Sequence, residues 1–452
     1  MHKVTVIGGG GVRTPLLIYG LAQSQAALQI DRITLFDIDG KRLGIMARLC
    51  REVLRQFEAA PEIHTEVDLK SAVAGAHFVL NSIRVGGIAA RARDERIAIE
   101  HGLAGQETTG PGGAAMALRT LPVILAQAQI VEQEAPGAWF INFTNPAGLI
   151  TQALTQQTSV KAIGICDTPA ELFHNIATAL DEDQREMGFD YAGLNHLGWI
   201  RRVYLRGKDI TDDLLGNPEL LRKLYSADLF DPALIATLRL IPTEYLFFYY
   251  SQRRAHANQL KAGASRGEEL QRLNTELFAQ LDRHDGAAAL QTYREYLMRR
   301  NDSYMKLEAQ GGSAFKSSDQ FNDPFETATG YHRIAVDVMR GLTSGQPVEV
   351  VVNVRNGNTI SHLEPDDVVE VPCRISSAGP FPKPVRDLPE PVRGLVQSVK
   401  AYERSMIQAA VMRSSSEALL GLLEYPIIGQ WELAKQLLES LQSNDPQLAY
   451  LR

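Results

Sequence analysis

Cysteine is scarce. Cys50, Cys166 and Cys373 are the three thiols in 452 residues. They cannot build a disulfide framework, which fits a reducing compartment. No Lys/Arg-rich run occurs, and the formal net charge is -7 with a pI of about 5.9. Nucleic acid and anionic membranes are therefore set aside as partners. An anionic small molecule is not, because a local arginine cluster overrides net charge. Long apolar runs are missing as well: no stretch of ~18 apolar residues marks a transmembrane helix. The chain opens MHKVTVIGGGG and enters a strand at once, leaving no room for a signal peptide. The expectation from these absences is a cytoplasmic protein.

What is present is an ordinary globular composition, 45% hydrophobic and 22% charged, enough apolar surface for a large core. The length exceeds one ordinary core and points to two domains. KVTVI at 3–7 is short, β-branched and stopped by glycine, so it reads as a buried strand. Gly8 to Gly11 follow, then a helical pattern from about Pro15 to Ala27. RITLF (32–36) ends at Asp37, and a long helix is expected over 40–59. HFVLN (77–81), AWFINF (138–143) and VKAIGI (160–165) continue the series, with helical patterns between them. Strands alternating with helices predict an α/β fold, a doubly wound parallel sheet of the Rossmann type, over residues 1–190. Beyond 190 the pattern changes to antiparallel strand material, charged helices over 217–310, strands at 348–357 and 368–375, and helices over 388–442. This is a second, mixed α+β domain, 191–452, for substrate binding and oligomerisation, part of whose C-terminal helices can pack back on the first. Loose linkers rich in Gly, Ser and Pro are expected near 310–325 and 376–390.

Glycines at a strand-to-helix turn let backbone amides approach a pyrophosphate, and the helix N-terminus favours negative charge. Gly8, Gly10 and Gly11 are the expected contacts, although the spacing is not a strict G-x-G-x-x-G. Asp37 ends the second strand, where an acid binds the adenosine ribose hydroxyls and repels a 2′-phosphate, favouring NAD over NADP. Asp39 is the other candidate. The plainer alternative is a turn without nucleotide and an Asp acting as helix cap.

Several segments narrow the function: SIRVGGIAARARDERIAIEHGLAGQETTGPGG (82–113), FINFTNPAG (140–148), IGICDTP (163–169) and GLNHLGW (193–199). Taken on their own terms, Cys166 follows the fifth strand, where a doubly wound sheet presents ligands to its crevice. His196 sits in a Gly-Leu-Asn-His turn. A thiolate and an imidazole can hold one divalent metal with positions left open, although a buried structural Cys and a capped His are the simpler alternative. Arg84 stands at a strand end, with Arg91, Arg93 and Arg96 behind it on what can be a solvated helix face. Asn145 is a turn residue before proline or a ligand contact. Tyr245 and Tyr249 fall one helical turn apart, either as packing or as chemistry. Asp167 precedes Thr168 and Pro169 as a helix N-cap candidate and as a possible proton donor.

Together these segments resemble glycoside hydrolase family 4, the NAD-dependent glycosidases, over nearly the whole chain, and look closest to its 6-phospho-β-glucosidases. The resemblance implies Mn²⁺ or another divalent metal at Cys166 and His196, sugar hydroxyls at Asn145, substrate contact at Arg84, Tyr245 as catalytic base and Asp167 as general acid. β-Active members often carry Asn at the Asp167 position and some α-active ones Asp. It implies a route unlike the usual pair of carboxylates: NAD⁺ takes a hydride from carbon 3 of a small-molecule glycoside, the carbon 2 proton becomes acidic and is removed, the aglycone leaves, water adds, and the hydride returns. It also implies a homodimer or homotetramer. The alternatives are a dehydrogenase of the lactate or malate type, a non-catalytic NAD sensor, or a family 4 enzyme for an α-linked or unphosphorylated sugar. The chain departs from the family pattern in GGGGVRTP, with Val12 and Arg13, in Phe247 and Phe248 where members often have Arg, and in QGGSAF (310–315). These departures bear on the 6-phosphate.

Overall fold

The computed structural model describes residues 1–225, 229–304, 323–327 and 329–452. The QGGSAF segment lies outside the described residues, and so does nearly all of the linker expected near 310–325.

Six parallel strands, β1 (His2–Ile7), β2 (Ile30–Phe36), β3 (Glu62–Glu66), β4 (Phe78–Asn81), β5 (Trp139–Asn142) and β6 (Lys161–Gly164), lie in the order β3-β2-β1-β4-β5-β6. This is the doubly wound Rossmann order, with the crevice at the carboxyl ends of β1 and β4. β1 and β4 are buried on both faces, hence their unbroken apolar runs. β3 was not expected from the sequence. It is an edge strand reading EIHTE, largely exposed, with no apolar run to mark it. The helix Gly40–Leu54 is shorter than expected and begins at Asp39, whose carboxylate accepts from the Arg42 amide at 3.0 Å. The helix expected over 15–27 is Thr14–Gln23, followed by a single turn at Gln25–Leu28.

The later strands do not build a separate sheet. β7 (Met187–Leu194), β8 (Leu197–Leu205), β9 (Lys208–Asp209), β10 (Ile241–Pro242), β11 (Val348–Arg355), β12 (Val368–Ser376) and β13 (Gly379–Pro382) join the same one. β11 pairs antiparallel with β6, and the order continues β12-β7-β8-β10, with β13 beside β12 and β9 beside β8. The junction needs glycine. A Cβ on Gly164 would stand 2.2 Å from Thr151 Oγ1 and 2.9 Å from the Asn353 Cβ. Covering β6 in this way buries Val352 and Val354, which would otherwise form an exposed apolar edge.

The helix Gly110–Glu134 is long and apolar enough to cross a membrane by length and composition, yet 61% of its apolar stretch is buried inside the protein. It packs on the helices Gly87–Glu100, Ala147–Gln157 and Glu390–Met412, so the C-terminal half covers the first sheet. The terminal helical region is broken into Glu390–Met412, Ser415–Glu424 and Trp431–Asn444.

His332, on the helix Tyr331–Thr343, is 6% exposed. Burial, with Arg333 and Arg13, lowers its pKa to about 4. The unfolded chain takes up this proton near pH ~6.5 and the folded chain does not, so stability is full above that pH and is lost as pH falls toward about 4. The expected loss at pH ~5 is about 2 kcal/mol. Melting curves at both pH values should show a smaller acid shift in His332→Gln; equal shifts would contradict the assignment.

Candidate functional site

Gly8, Gly10, Gly11, Asp37, Arg84, Asn145, Cys166 and Asp167 sit just beyond the carboxyl ends of the parallel strands, while His196 and Tyr245 come from the later part of the chain. The nucleotide corner comes first. Gly8 ends β1 with φ +92°, and a Cβ there would come 2.5 Å from the Ser82 carbonyl oxygen. Only glycine fits a positive φ packed against a neighbouring strand's backbone. The turn runs through Gly10 and Gly11 into Thr14–Gln23, whose amino end points at the crevice. Asp37, half-buried at the end of β2, accepts from the Gly10 amide at 2.9 Å and from the Asp39 amide at 3.0 Å. The helix-cap role falls to Asp39, which leaves Asp37 at the rim of the glycine turn. This arrangement fits a dinucleotide: a side-chain-free turn, a helix terminus, and a carboxylate one strand away.

The opposite wall is built by a tight hairpin. β7 and β8 are joined by two residues, Asn195 and His196, with Leu194 opposite Leu197. His196 takes φ +60°, which turns a two-residue hairpin but costs a side chain with a Cβ. The Asn195 side-chain oxygen accepts from the Ala147 amide at 3.0 Å, pinning the turn to the segment that carries Asn145. His196 is 2% exposed, and neither ring nitrogen has a hydrogen-bond partner. Burial lowers its pKa to about 3, opposed by Glu107, so the ring is neutral. It stacks on Tyr245, with centroids 3.7 Å apart and planes 3° from parallel.

Cys166 follows β6 and is 2% exposed, its thiol donating to Thr168 Oγ1 at 3.4 Å. Burial, then Glu370 and Asp167, push its pKa well above the usual thiol value. Cys166 is among the groups that bear electrostatically on the Tyr245 hydroxyl, and His196 stacks on the same ring. The Asn145 Oδ1 is buried and unpartnered too. The two unmatched nitrogens of a buried neutral imidazole suit a divalent cation, and the Cys166 sulfur is a second donor of the right kind. Among the described residues no group of three or more His, Cys, Asp or Glu is placed to hold a metal. Protein donors beyond Cys166 and His196 are therefore not supplied by those residue types.

Tyr245 and Tyr249 part company. The Tyr249 hydroxyl lies 2.9 Å from that of Tyr425, on the far side from His196, while Tyr245 faces the imidazole. Burial, then Glu244 and Glu107, hold the Tyr245 hydroxyl well above its usual pKa. Asp167 is raised by burial, with Arg13 opposing it from 4.0 Å. A carboxyl pKa raised in this way is shifted in the direction a general acid requires. Asp167 stands at the helix start, but its side chain makes no cap hydrogen bond.

The arginines also divide. Arg93 pairs with Asp445 at 2.7 Å, and Arg96 donates to Glu268 at 2.9 Å; both join helices rather than facing water. Arg84 pairs with Glu107, which also takes Arg91 at 2.8 Å. Burial disfavours the Glu107 charge, but Arg84 and Arg91 outweigh it and hold the carboxyl well below the usual range. One Arg84 nitrogen, Nη1, remains buried without a partner. Arg13 stacks over Tyr331, 4.9 Å from its ring centre. Arg300 makes a 3.4 Å contact to the Tyr296 hydroxyl, and burial, with Arg13, Arg266 and Arg91 nearby, lowers it to about 10.

Sequence reasoning missed Glu107, Arg91 and Arg300 as parts of the site. Glu107 carried a signal, being the lone acid in the small-residue run GQETTGPGG. Arg300 carried none, since its neighbour Arg299 on the same charged helix is an exposed ion-pair residue.

Comparison with known proteins places the chain in a family. Residues 3–182 match the model of the family 4 glycosyl hydrolases, and residues 191–428 match that of the family 4 glycosyl hydrolase C-terminal domain. A probable 6-phospho-β-glucosidase of Bacillus subtilis is 32% identical over 97% of this chain and 95% of its own. A 6-phospho-α-glucosidase of Lacticaseibacillus paracasei is 25% identical over 97% and 96%. The 6-phospho-β-glucosidase of Thermotoga maritima, solved with manganese, NAD⁺ and glucose-6-phosphate, superposes with a TM-score of 0.83 at 28% identity, covering 100% of both chains. Both halves match one family and a fused mixed sheet carries the site, so the chain belongs to glycosyl hydrolase family 4.

Proposed function

We propose that the protein hydrolyses 6-phospho-β-glucosides by an oxidation–elimination–addition–reduction route that requires NAD⁺ and a divalent cation. The carrying observation is His196: a buried neutral imidazole with both nitrogens unmatched, stacked on Tyr245 beside Cys166. A dehydrogenase-type hydride transfer would use a neutral imidazole as proton acceptor but calls for neither the stacked tyrosine nor the thiol. On this reading residues 1–190 hold the dinucleotide through Gly8, Gly10, Gly11 and Asp37, and residues 191–452 complete the sugar end.

When bound, NAD⁺ would accept and return the carbon 3 hydride, and a cation at Cys166 and His196 would polarise the oxygens on carbons 2 and 3 and favour the Tyr245 phenolate. Asn145 presents its free amide oxygen to sugar hydroxyls. Tyr245 removes the carbon 2 proton, and Asp167 protonates the departing oxygen at carbon 1. Arg84, with Nη1 free, and Arg13 orient the anionic end of the sugar. Arg13, Arg84 and Arg91 all act on Glu107, and Arg13 and Arg91 also bear on Arg300; this gathering of guanidinium supports a phosphorylated substrate although Phe247 and Phe248 replace an arginine expected by resemblance.

Asp167 favours a second reading, an α-linked 6-phosphoglucoside, since an aspartate next to Cys166 matches some α-active members by the resemblance. A panel of p-nitrophenyl α- and β-glucosides, with and without 6-phosphate, separates the readings. The expected best substrate is the phosphorylated β-glucoside. Equal turnover of the unphosphorylated compound would overturn the phosphate assignment, and preference for the α-anomer would establish the second reading. On the best substrate Arg84→Ala should lower kcat/KM by about 10–100-fold, the scale of one to two lost charge-assisted hydrogen bonds. No change would make Arg84 a structural partner of Glu107 alone.

A further inference from the structure

A single buried carboxylate joins the elements that carry the proposed metal ligands. Gly164 on β6, Asn353 on β11, Glu370 on β12 and Gly193 on β7 form one lateral row, each residue paired with the next across the sheet. Cys166 follows that row by two residues on one side, and the Asn195–His196 turn follows Gly193 on the other. A Cβ on Gly164 would meet Thr151 and Asn353, and one on Gly193 would meet the backbone of Leu197 and Gly198, so both ends of the row require glycine.

Glu370 is 1% exposed and has no cationic partner among the ion pairs of the described residues. Three side chains satisfy it instead. The Tyr191 hydroxyl donates at 2.6 Å, Asn195 Nδ2 at 3.2 Å and Asn353 Nδ2 at 3.0 Å. Asn195 spends its other end on the Ala147 amide at 3.0 Å. One carboxylate thus fixes the turn that aims His196 and, through Asn195, the segment that carries Asn145. A buried carboxylate is costly, and a pair of apolar residues would stabilise the sheet as well. Burial pushes its pKa to about 7, so that cost is visible. The strained His196 backbone needs a device of this kind, because a side chain at positive φ persists only where its surroundings hold it.

We infer that Glu370 is a positioning residue for the metal site, acting through Asn195 to hold His196 in its ligand orientation and Asn145 in register with it. The inference rests on the metal reading given above. Groups that orient a ligand without touching the metal commonly change affinity by about 10–100-fold.

The test uses nucleotide-stripped full-length protein and Mn²⁺ alone, titrated by electron paramagnetic resonance, with NAD⁺ binding measured in parallel. Glu370→Ala should weaken Mn²⁺ binding by about 10–100-fold and leave NAD⁺ affinity unchanged, because Gly8 and Asp37 lie on other strands. Glu370→Gln should recover most of the Mn²⁺ affinity, since an amide accepts from both asparagines and donates to the Tyr191 oxygen. Should Glu370→Ala fail to fold, Asn195→Ser carries the same expectation with the carboxylate retained. Unchanged Mn²⁺ affinity in Glu370→Ala or, failing that, Asn195→Ser overturns the assignment. So does a Glu370→Gln protein as weak as the alanine variant, which would make charge rather than orientation the cause. A wild-type protein that binds no Mn²⁺ overturns the metal reading itself, and the positioning role with it.

Discussion

Cys166→Ser should lower Mn²⁺ affinity by at least ~100-fold and the hydrolytic rate by a similar factor or more, because a neutral hydroxyl replaces a soft anionic donor. The fold should survive. The side chain is 2% exposed and its one hydrogen bond, to Thr168, suits a hydroxyl as well. Unfolding temperature and NAD⁺ binding should therefore match wild type. The protein's own groups hold the Cys166 thiol protonated through burial and the nearby Glu370 and Asp167, so only a bound cation makes thiolate the favoured form. Chelator should abolish activity and Mn²⁺ restore it in wild type. Wild-type rate and chelator response in Cys166→Ser would remove Cys166 from the ligand set.

Tyr245→Phe should cost about 10²–10⁴ in kcat, the usual range for a lost general base. The phenyl ring keeps the 3.7 Å stack on His196, so Mn²⁺ affinity and KM should change little. That split distinguishes a chemical role from support of the imidazole. The other nearby candidate, Tyr249, is spent on Tyr425, and Tyr249→Phe should leave kcat within a few-fold. A Tyr245→Phe enzyme that keeps its kcat would place proton removal elsewhere.

Much of the fold was legible because periodicity reports burial. KVTVI, FVLN and the strands after them are apolar on both faces, as parallel strands between helix layers must be. EIHTE was illegible for the same reason, since an edge strand facing water has no such signature. The fusion of β11 to β6 was also beyond sequence reading. It depends on the missing Cβ at Gly164 and on a partner almost two hundred residues away along the chain. In the site, position next to strand ends drew attention to Gly8, Asp37, Arg84, Asn145, Cys166 and Asp167, but the roles of Asn145, Cys166 and Asp167 came from the resemblance. His196 and Tyr245 needed the resemblance, because a turn histidine and a tyrosine in an aromatic cluster look structural until the hairpin brings them face to face. Glu107 and Glu370 are joined to partners remote in sequence, Arg84 for the one and Tyr191 and Asn195 for the other, and local patterns cannot carry that. Arg93 and Arg96 show the converse: adjacent arginines with the same local look join helices to Asp445 and Glu268.

The central claim is that bond cleavage passes through elimination, and turnover in deuterated water tests it most directly. Breaking the carbon 2–hydrogen bond and later reprotonating it must exchange that hydrogen with solvent, whereas direct displacement at carbon 1 leaves it untouched. The account predicts deuterium at carbon 2 of the product sugar, with NAD⁺ required and no net NADH formed. Product sugar carrying no deuterium at carbon 2, from an enzyme turning over normally, would contradict it.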